Sequence, residues 1–191
     1  MRYLRSLNAA ICFSTFGIGS LFIVGIILPF LYLIIRGRKR RRRVFVRCIQ
    51  KSWVFFVWMM ELFRLIRVQM DREGRQKLRD IRSTIVVANH PSLIDVVILV
   101  SLVRDPVCIV KGKLTRNFFM KYIILYAYIN NESEGKELVE QSKEALSDGY
   151  NLIVFPEGTR SMPGVEMKLQ RGTAYIAMET GADILPLKIR L

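Results

Sequence analysis

No position between residues 9 and 35 is charged, and Ile, Leu, Phe and Val dominate the stretch. Wound at about 1.5 Å per residue, it exceeds the roughly 30 Å hydrocarbon core of a bilayer, so the pattern predicts a membrane-spanning helix. Gly17, Gly19, Gly25 and Pro29 fall inside it. Such residues are commoner in membrane helices than in soluble ones, and Pro29 predicts a kink. Over residues 44–63 the pattern is helical again. Arg47, Gln50, Lys51 and Glu61 form one polar stripe, while Phe45, Ile49, Trp53, Phe56, Val57, Met60 and Phe63 cover most of the remaining circumference. This predicts an amphipathic helix that lies in the membrane interface, with Trp53 and Trp58 at headgroup depth, or packs against the first helix.

The period then changes. Residues 65–70 alternate, with Ile66, Val68 and Met70 on one face and Arg67 and Gln69 on the other, which predicts a half-buried strand. Residues 71–82 read as a polar connection. Short β-branched runs at 84–88, 107–110, 151–155 and 184–189 predict four further strands suited to a buried sheet. Helical patterns lie between them at 92–103, 117–126, 134–147 and 172–180. The expected class is therefore α/β: a mainly parallel sheet flanked by helices, with an N-terminal transmembrane helix and an amphipathic interfacial helix. The expected divisions are an anchor with its polybasic stop over 1–43, the interfacial helix over 44–64 and one globular domain over 65–191. A chain of 191 residues holds one core and an appendage.

Charge sharpens the picture. The chain carries 30 Lys and Arg against 16 Asp and Glu, a net charge of +14. Arg36, Arg38, Lys39, Arg40, Arg41, Arg42 and Arg43 account for half of that excess and directly follow the apolar stretch, whereas only Arg2 and Arg5 precede it. The bias predicts that the following domain stays on the cytoplasmic side and that the run attracts anionic lipid headgroups. The length of the apolar stretch, the lack of an A-x-A-like site and the cationic stop argue against a cleaved signal peptide. A rival reading is a non-enzymatic polybasic protein that holds anionic lipid or nucleic acid. Helical packing explains the interleaved aromatic and basic residues between Trp53 and Arg67 better, so no nucleic-acid partner is expected. Cys12, Cys48 and Cys108 have no paired spacing, and His90 is the single histidine. Neither a disulfide framework nor a metal site is expected.

Two strand ends carry unusual chemistry. The first runs into Asn89-His90-Pro91-Ser92-Leu93-Ile94-Asp95 and the second into Pro156-Glu157-Gly158-Thr159-Arg160-Ser161. Pro91 suits the opening turn of a helix, with His90 just before it and Asp95 close enough to fold back to the ring. A carboxylate accepting from one imidazole nitrogen fixes the tautomer and leaves the other nitrogen as a base. Gly158 permits a tight turn, and Arg160 offers a planar fork for a phosphate. In parallel sheets, ligands gather at the carboxyl ends of strands, where both clusters lie. No G-x-S-x-G elbow of a lipid hydrolase and no G-x-x-x-x-G-K-[ST] phosphate loop is present.

The NH-x4-D and FPEGTR motifs, in this order and separation, resemble the glycerolipid acyltransferase family that includes bacterial 1-acyl-glycerol-3-phosphate acyltransferases. The resemblance covers residues 65–191. It implies a lysophospholipid O-acyltransferase of phospholipid biosynthesis that takes a fatty acyl group from acyl-CoA or acyl-carrier protein and binds no cofactor. It also implies a bacterial inner membrane location with the catalytic domain on the cytoplasmic face. His90 would act as general base and Asp95 as its orienting partner; Glu157, Gly158, Thr159 and Arg160 would bind the acceptor, with Arg160 on its phosphate. Asn89, Lys168 and Arg171 are further candidates by position.

The chain departs from the family in two places. The family's middle motif offers a glycine followed downstream by an arginine, and residues 111–131 have no matching pair: Met120 or Lys121 falls near the expected glycine and Asn130 or Asn131 near the expected arginine. Lys111, Lys113 and Arg116 are the candidate replacements. The variant stretch is also similar to family members associated with specialised acceptors, such as aryl polyene or amino-acid lipids. Relatives commonly continue beyond the Ile184-Leu185-Pro186-Leu187 segment, so the end of the sheet is expected to be incomplete at Leu191.

Overall fold

The computed structural model of the chain describes residues 2–110, 128–130, 135–158 and 169–190. Its first 33 described residues follow from apolarity and one proline. Helix α1 (Arg2–Phe22) passes through a π-helical turn (Ile23–Ile27) into α2 (Leu28–Ile34). Leu28 N–H donates to the Ile23 carbonyl, five residues back, immediately ahead of Pro29. Pro29 has no N–H for the preceding turn, and a π turn is one way a helix absorbs that loss. The segment Tyr3–Ile34 is long and apolar enough to cross a membrane, and only 6% of its most apolar window is buried.

Gly37, at φ +90°, reverses the chain, a conformation that favours glycine. Helix α3 (Arg38–Leu62) follows and starts within the arginine run, six residues earlier than the hydrophobic pattern predicted. It packs back along α1, with Phe16 stacked on Trp53 at 4.7 Å and close to Phe56 at 4.4 Å. Its Val46, Ile49, Trp53, Phe56, Met59 and Met60 also join the core built on the sheet. Thus α3 packs against the first helix and the globular layer together. Trp53 is buried, whereas Trp58 is half exposed.

Residues 65–70 do not form the expected strand. Ile66, Val68 and Met70 are partly buried while Arg67 and Gln69 are exposed, so the alternation is real, but among the described residues no strand pairs with it. Side chains serve its backbone instead: Val68 N–H donates to Glu61 Oε1 and Arg75 donates to the Val68 carbonyl. The expected polar connection contains helix α4 (Arg72–Asp80), capped by Asp71 Oδ1 accepting from Gly74 N–H at 2.9 Å. Glu73 in its first turn and Lys77 and Arg79 in its last complement the helix dipole.

The sheet runs β3-β2-β4-β1-β5, with β1 at Ile85–Ala88, β2 at Pro106–Val110, β3 at Tyr128–Asn130, β4 at Asn151–Val154 and β5 at Ile184–Leu187. All its pairings are parallel. Helices α5 (Asp95–Leu102), α6 (Gly135–Ser147) and α7 (Gly172–Thr180) lie between strands in sequence, giving the α/β architecture expected. Ile85, Val86, Val107, Leu152 and Ile153 are fully buried, as strands covered on both faces require. Strand β3 was not predicted. The helix expected at 117–126 lies outside the described residues.

Candidate active site

The order of the strands brings the two polar clusters together. Strands β1 and β4 are parallel neighbours, and their register pairs Val87 with Val154. Three residues further on, the same register sets His90 opposite Glu157. His90 donates its backbone N–H to Glu157 Oε1 at 3.2 Å, and its ring lies 4.5 Å from that of Phe155. Both strands end here at their carboxyl edge.

Asp95 folds back onto the imidazole. His90 Nδ1 lies 3.2 Å from Asp95 Oδ2, with the carboxylate at 1% exposure and the ring at 17%. A buried carboxylate needs its oxygens satisfied, and Ser92 provides two further donors. Its N–H reaches Oδ2 at 2.5 Å and its hydroxyl reaches Oδ1 at 2.6 Å. An ionised carboxylate only accepts, so Nδ1 carries the ring proton and the basic lone pair resides on Nε2. The residues from His90 to Ile94 form a turn rather than the predicted first turn of a helix. Helix α5 begins at Asp95, with no side-chain bond from its N-cap Ile94. The Ser92 N–H bond to Asp95 Oδ2 is one half of a capping box, but the Ser92 hydroxyl turns to Asp95 Oδ1 rather than to a helix N–H. Sequence reasoning missed Ser92; the S-x-x-D spacing was the available signal.

Asn89 has a different task. Its side-chain amide donates to the Ile189 carbonyl at 2.9 Å and accepts from Ile189 N–H at 2.6 Å, fastening the segment after β5 to the front of the histidine turn. In the second cluster Gly158 takes φ +63°, and its N–H donates to the Phe155 carbonyl at 3.1 Å. A Cβ at Gly158 would meet only the movable end of the Gln170 side chain, so it is the left-handed conformation that favours glycine there. Gln170 N–H bonds the Pro156 carbonyl at 2.8 Å. Arg171 is exposed at the start of α7. Thr159, Arg160, Lys168, Lys111, Lys113 and Arg116 lie outside the described residues.

The arginine run sits at the other edge of the sheet. Lys39 Nζ binds Asp148 Oδ1 at 2.7 Å, Arg43 donates to the Asp148 carbonyl, and Arg42 lies 5.2 Å over the Tyr150 ring, all beside the amino end of β4. Arg47 grips Asp105 at the amino end of β2, with Nε to Oδ1 at 2.9 Å. Arg41 donates to the Ile35 carbonyl and covers Tyr32 at 3.9 Å. The hydrogen bond to Asp148, then its charge, raises the Lys39 pKa above its ordinary value; Asp105 does the same for Arg47. Arg36, Arg38 and Arg40 are exposed.

Among the described residues, no group of three or more His, Cys, Asp or Glu side chains could hold a metal ion. The arrangement offers proton transfer at one imidazole, steadied by a buried carboxylate, beside a glycine turn.

A family model described as Acyltransferase matches residues 69–190. The chain is 30% identical over 112 residues to a 1-acyl-sn-glycerol-3-phosphate acyltransferase of Cocos nucifera, covering 54% of this chain and 36% of that protein. It is 25% identical over 122 residues to one from Borreliella burgdorferi, covering 61% and 49%. The chain thus spans only part of the length of these curated relatives. The crystal structure of the 1-acyl-sn-glycerophosphate (LPA) acyltransferase PlsC from Thermotoga maritima matches with a TM-score of 0.72 at 26% identity, covering 97% of this chain and 75% of that one.

Proposed function

The chain belongs to the acyltransferase family, and from that premise we propose that it transfers a fatty acyl group from a thioester donor to the free hydroxyl of a lysolipid. The donor is acyl-CoA or acyl-carrier protein, and the acceptor is 1-acyl-glycerol-3-phosphate in phospholipid biosynthesis. The observation that carries this reading is the His90 Nδ1 to Asp95 Oδ2 pair at 3.2 Å, held beside the Glu157-Gly158 turn. His90 Nε2 takes the hydroxyl proton as the acceptor oxygen attacks the thioester carbonyl. The tetrahedral intermediate then expels the thiolate, and the imidazolium returns its proton to the departing sulfur. Base catalysis of this kind contributes about 10² to 10⁴-fold. Glu157, Gly158, Thr159 and Arg160 would hold the acceptor, with the Arg160 fork on its phosphate.

The membrane supplies the acceptor. Helix Tyr3–Ile34 has the length and composition of an anchor, and the cationic run that follows it favours a cytoplasmic catalytic face on an anionic bilayer. A bacterial inner membrane fits that reading. The absence of a glycine and arginine at the middle motif's expected positions, near Met120 or Lys121 and Asn130 or Asn131, supports a second acceptor class, a specialised membrane lipid.

The test is to incubate the purified chain in detergent or vesicles with a panel of lysolipids and both donors, following products by mass spectrometry. Transfer to 1-acyl-glycerol-3-phosphate, reduced at least about a hundredfold in a folded His90→Ala variant, is the expected result. Transfer to another acceptor alone would replace the phospholipid assignment, and an unaffected His90→Ala variant would overturn the mechanism.

A further inference from the structure

Three donors meet on the buried Asp95 carboxylate, but they do not share it equally. Oδ2 receives both His90 Nδ1 and Ser92 N–H, while Oδ1 is served by the Ser92 hydroxyl at 2.6 Å. Asp95 is the first residue of α5 and His90 lies five residues before it, in a turn with no repeating backbone bonds of its own. The carboxylate plane is therefore set largely by Ser92, whose two bonds grip both oxygens. Helix α5 has no side-chain cap of its own, so the hydroxyl is engaged on the carboxylate rather than on the helix.

We propose that Ser92 is a positioning residue for the acyl transfer: by clamping both oxygens of Asp95 it fixes the plane of the carboxylate, and through it the tautomer and angle of the His90 ring. This inference rests on the reading of His90 as general base. Removing the hydroxyl leaves Oδ1 as a buried acceptor without that donor, and such an oxygen turns to find another. The His90 bond at 3.2 Å is the longest of the three, and it shares Oδ2 with Ser92 N–H, so rotation of the carboxylate breaks it first. The ring then loses its bias towards the Nδ1–H form, which alone presents a basic Nε2.

One feature of the sequence makes this directly measurable: His90 is the only histidine. In the full chain with ¹⁵N-labelled histidine, every imidazole nitrogen resonance belongs to it. The experiment compares wild type, Ser92→Ala, Ser92→Thr and His90→Ala, by imidazole ¹⁵N shifts at one common alkaline pH and by steady-state kinetics of acyl transfer. The wild type should show the Nδ1–H tautomer. Ser92→Ala should shift population to the Nε2–H tautomer and lose about tenfold to a hundredfold in kcat, the effect of one hydrogen bond to a charged group, with KM for the acceptor unchanged. Ser92→Thr, which keeps the hydroxyl, should restore both. If Ser92→Ala does not fold, Ser92→Cys keeps a weak donor and should give the same ordering to a smaller extent.

The inference is overturned if Ser92→Ala or Ser92→Cys keeps the wild-type tautomer, or if its loss lies in KM alone. An inactive His90→Ala with an unchanged Ser92→Ala would remove only the role given to Ser92. A fully active His90→Ala would remove the general-base reading and this inference together.

Discussion

His90 donates its backbone N–H to Glu157 Oε1 at 3.2 Å, across 67 residues of chain. The acid of the second motif thereby reaches the residue proposed as the base of the first. Two roles for Glu157 make opposite predictions. If it acts through His90, Glu157→Gln retains an oxygen that accepts the same bond and stays within about threefold of wild type. Glu157→Ala would then lower kcat about tenfold, the effect of one lost hydrogen bond, with acceptor KM unchanged. A carboxylate that bound the acceptor directly would raise KM in both variants. Steady-state kinetics with acceptor varied at saturating donor separates the two.

Asn151 holds the amino edge of the sheet as Asn89 holds the carboxyl edge. Fully buried, it accepts from Thr84 N–H at 3.1 Å and donates to the carbonyls of Ile81 at 3.0 Å and Arg104 at 2.7 Å. These are the approaches to β1 and β2 on either side of β4. Asn151→Ala strands three backbone groups, each costing about 1 kcal/mol or more, and should lower the melting temperature by roughly 10 °C. Asn151→Asp should be at least as damaging, because it turns a carboxylate oxygen towards two carbonyls. Thermal melts of both variants in detergent check the order.

The contrast between His90 and Asn151 shows what could be read from the chain alone. His90 and Asp95 were legible because five residues of local chain bring them together, and the strands were legible because their runs are short and rich in β-branched residues, although β5, expected to be buried, is half exposed. Long-range partners were not. Nothing near Asn151 announces Ile81 or Arg104, and nothing around Lys39 or Arg47 announces that they find Asp148 and Asp105. Residues 65–70 failed for another reason: alternation reports which side chains turn inward, not whether a neighbouring strand exists to pair with. Helix α4 was hidden by its polarity, since Leu78 is its one buried residue, although Asp71 and Glu73 carried the start signal.

Cysteine reactivity tests the core independently of activity. Burial pushes the Cys108 thiol up to about 12 and, to a lesser degree, raises Cys48. The thiolate is the nucleophile, so at pH 8 Cys108 is almost wholly the unreactive thiol even before access is considered. Iodoacetamide should therefore label half-buried Cys48 ahead of Cys108 in the native chain, and Cys108 only after denaturation, as read by peptide mass spectrometry. The sign of the pH effect follows. Above the ordinary thiol pKa the unfolded chain releases a proton that native Cys108 keeps, so stability falls as pH rises from about 9. Buried Tyr128, also raised, acts in the same direction. Cys108→Ala should flatten part of that decline.

Substitution of Arg160 tests the acceptor class, because a guanidinium fork would distinguish a phosphate from a neutral headgroup. A hydrogen bond to a charged group contributes about 1.5–3 kcal/mol, or roughly tenfold to 150-fold in binding. For 1-acyl-glycerol-3-phosphate, Arg160→Ala should raise KM by about that factor and affect kcat less, since the phosphate takes no part in the bonds made and broken. Arg160→Lys should recover only part, because a point charge cannot reproduce two parallel bonds. With a lysolipid that lacks phosphate, neither variant should change KM. The same two variants assayed on both acceptors therefore test the pairing of residue and headgroup. A wild-type enzyme that prefers the neutral acceptor, with kinetics indifferent to Arg160, would move the chain to the specialised-lipid branch, as the unusual residues 111–131 suggest.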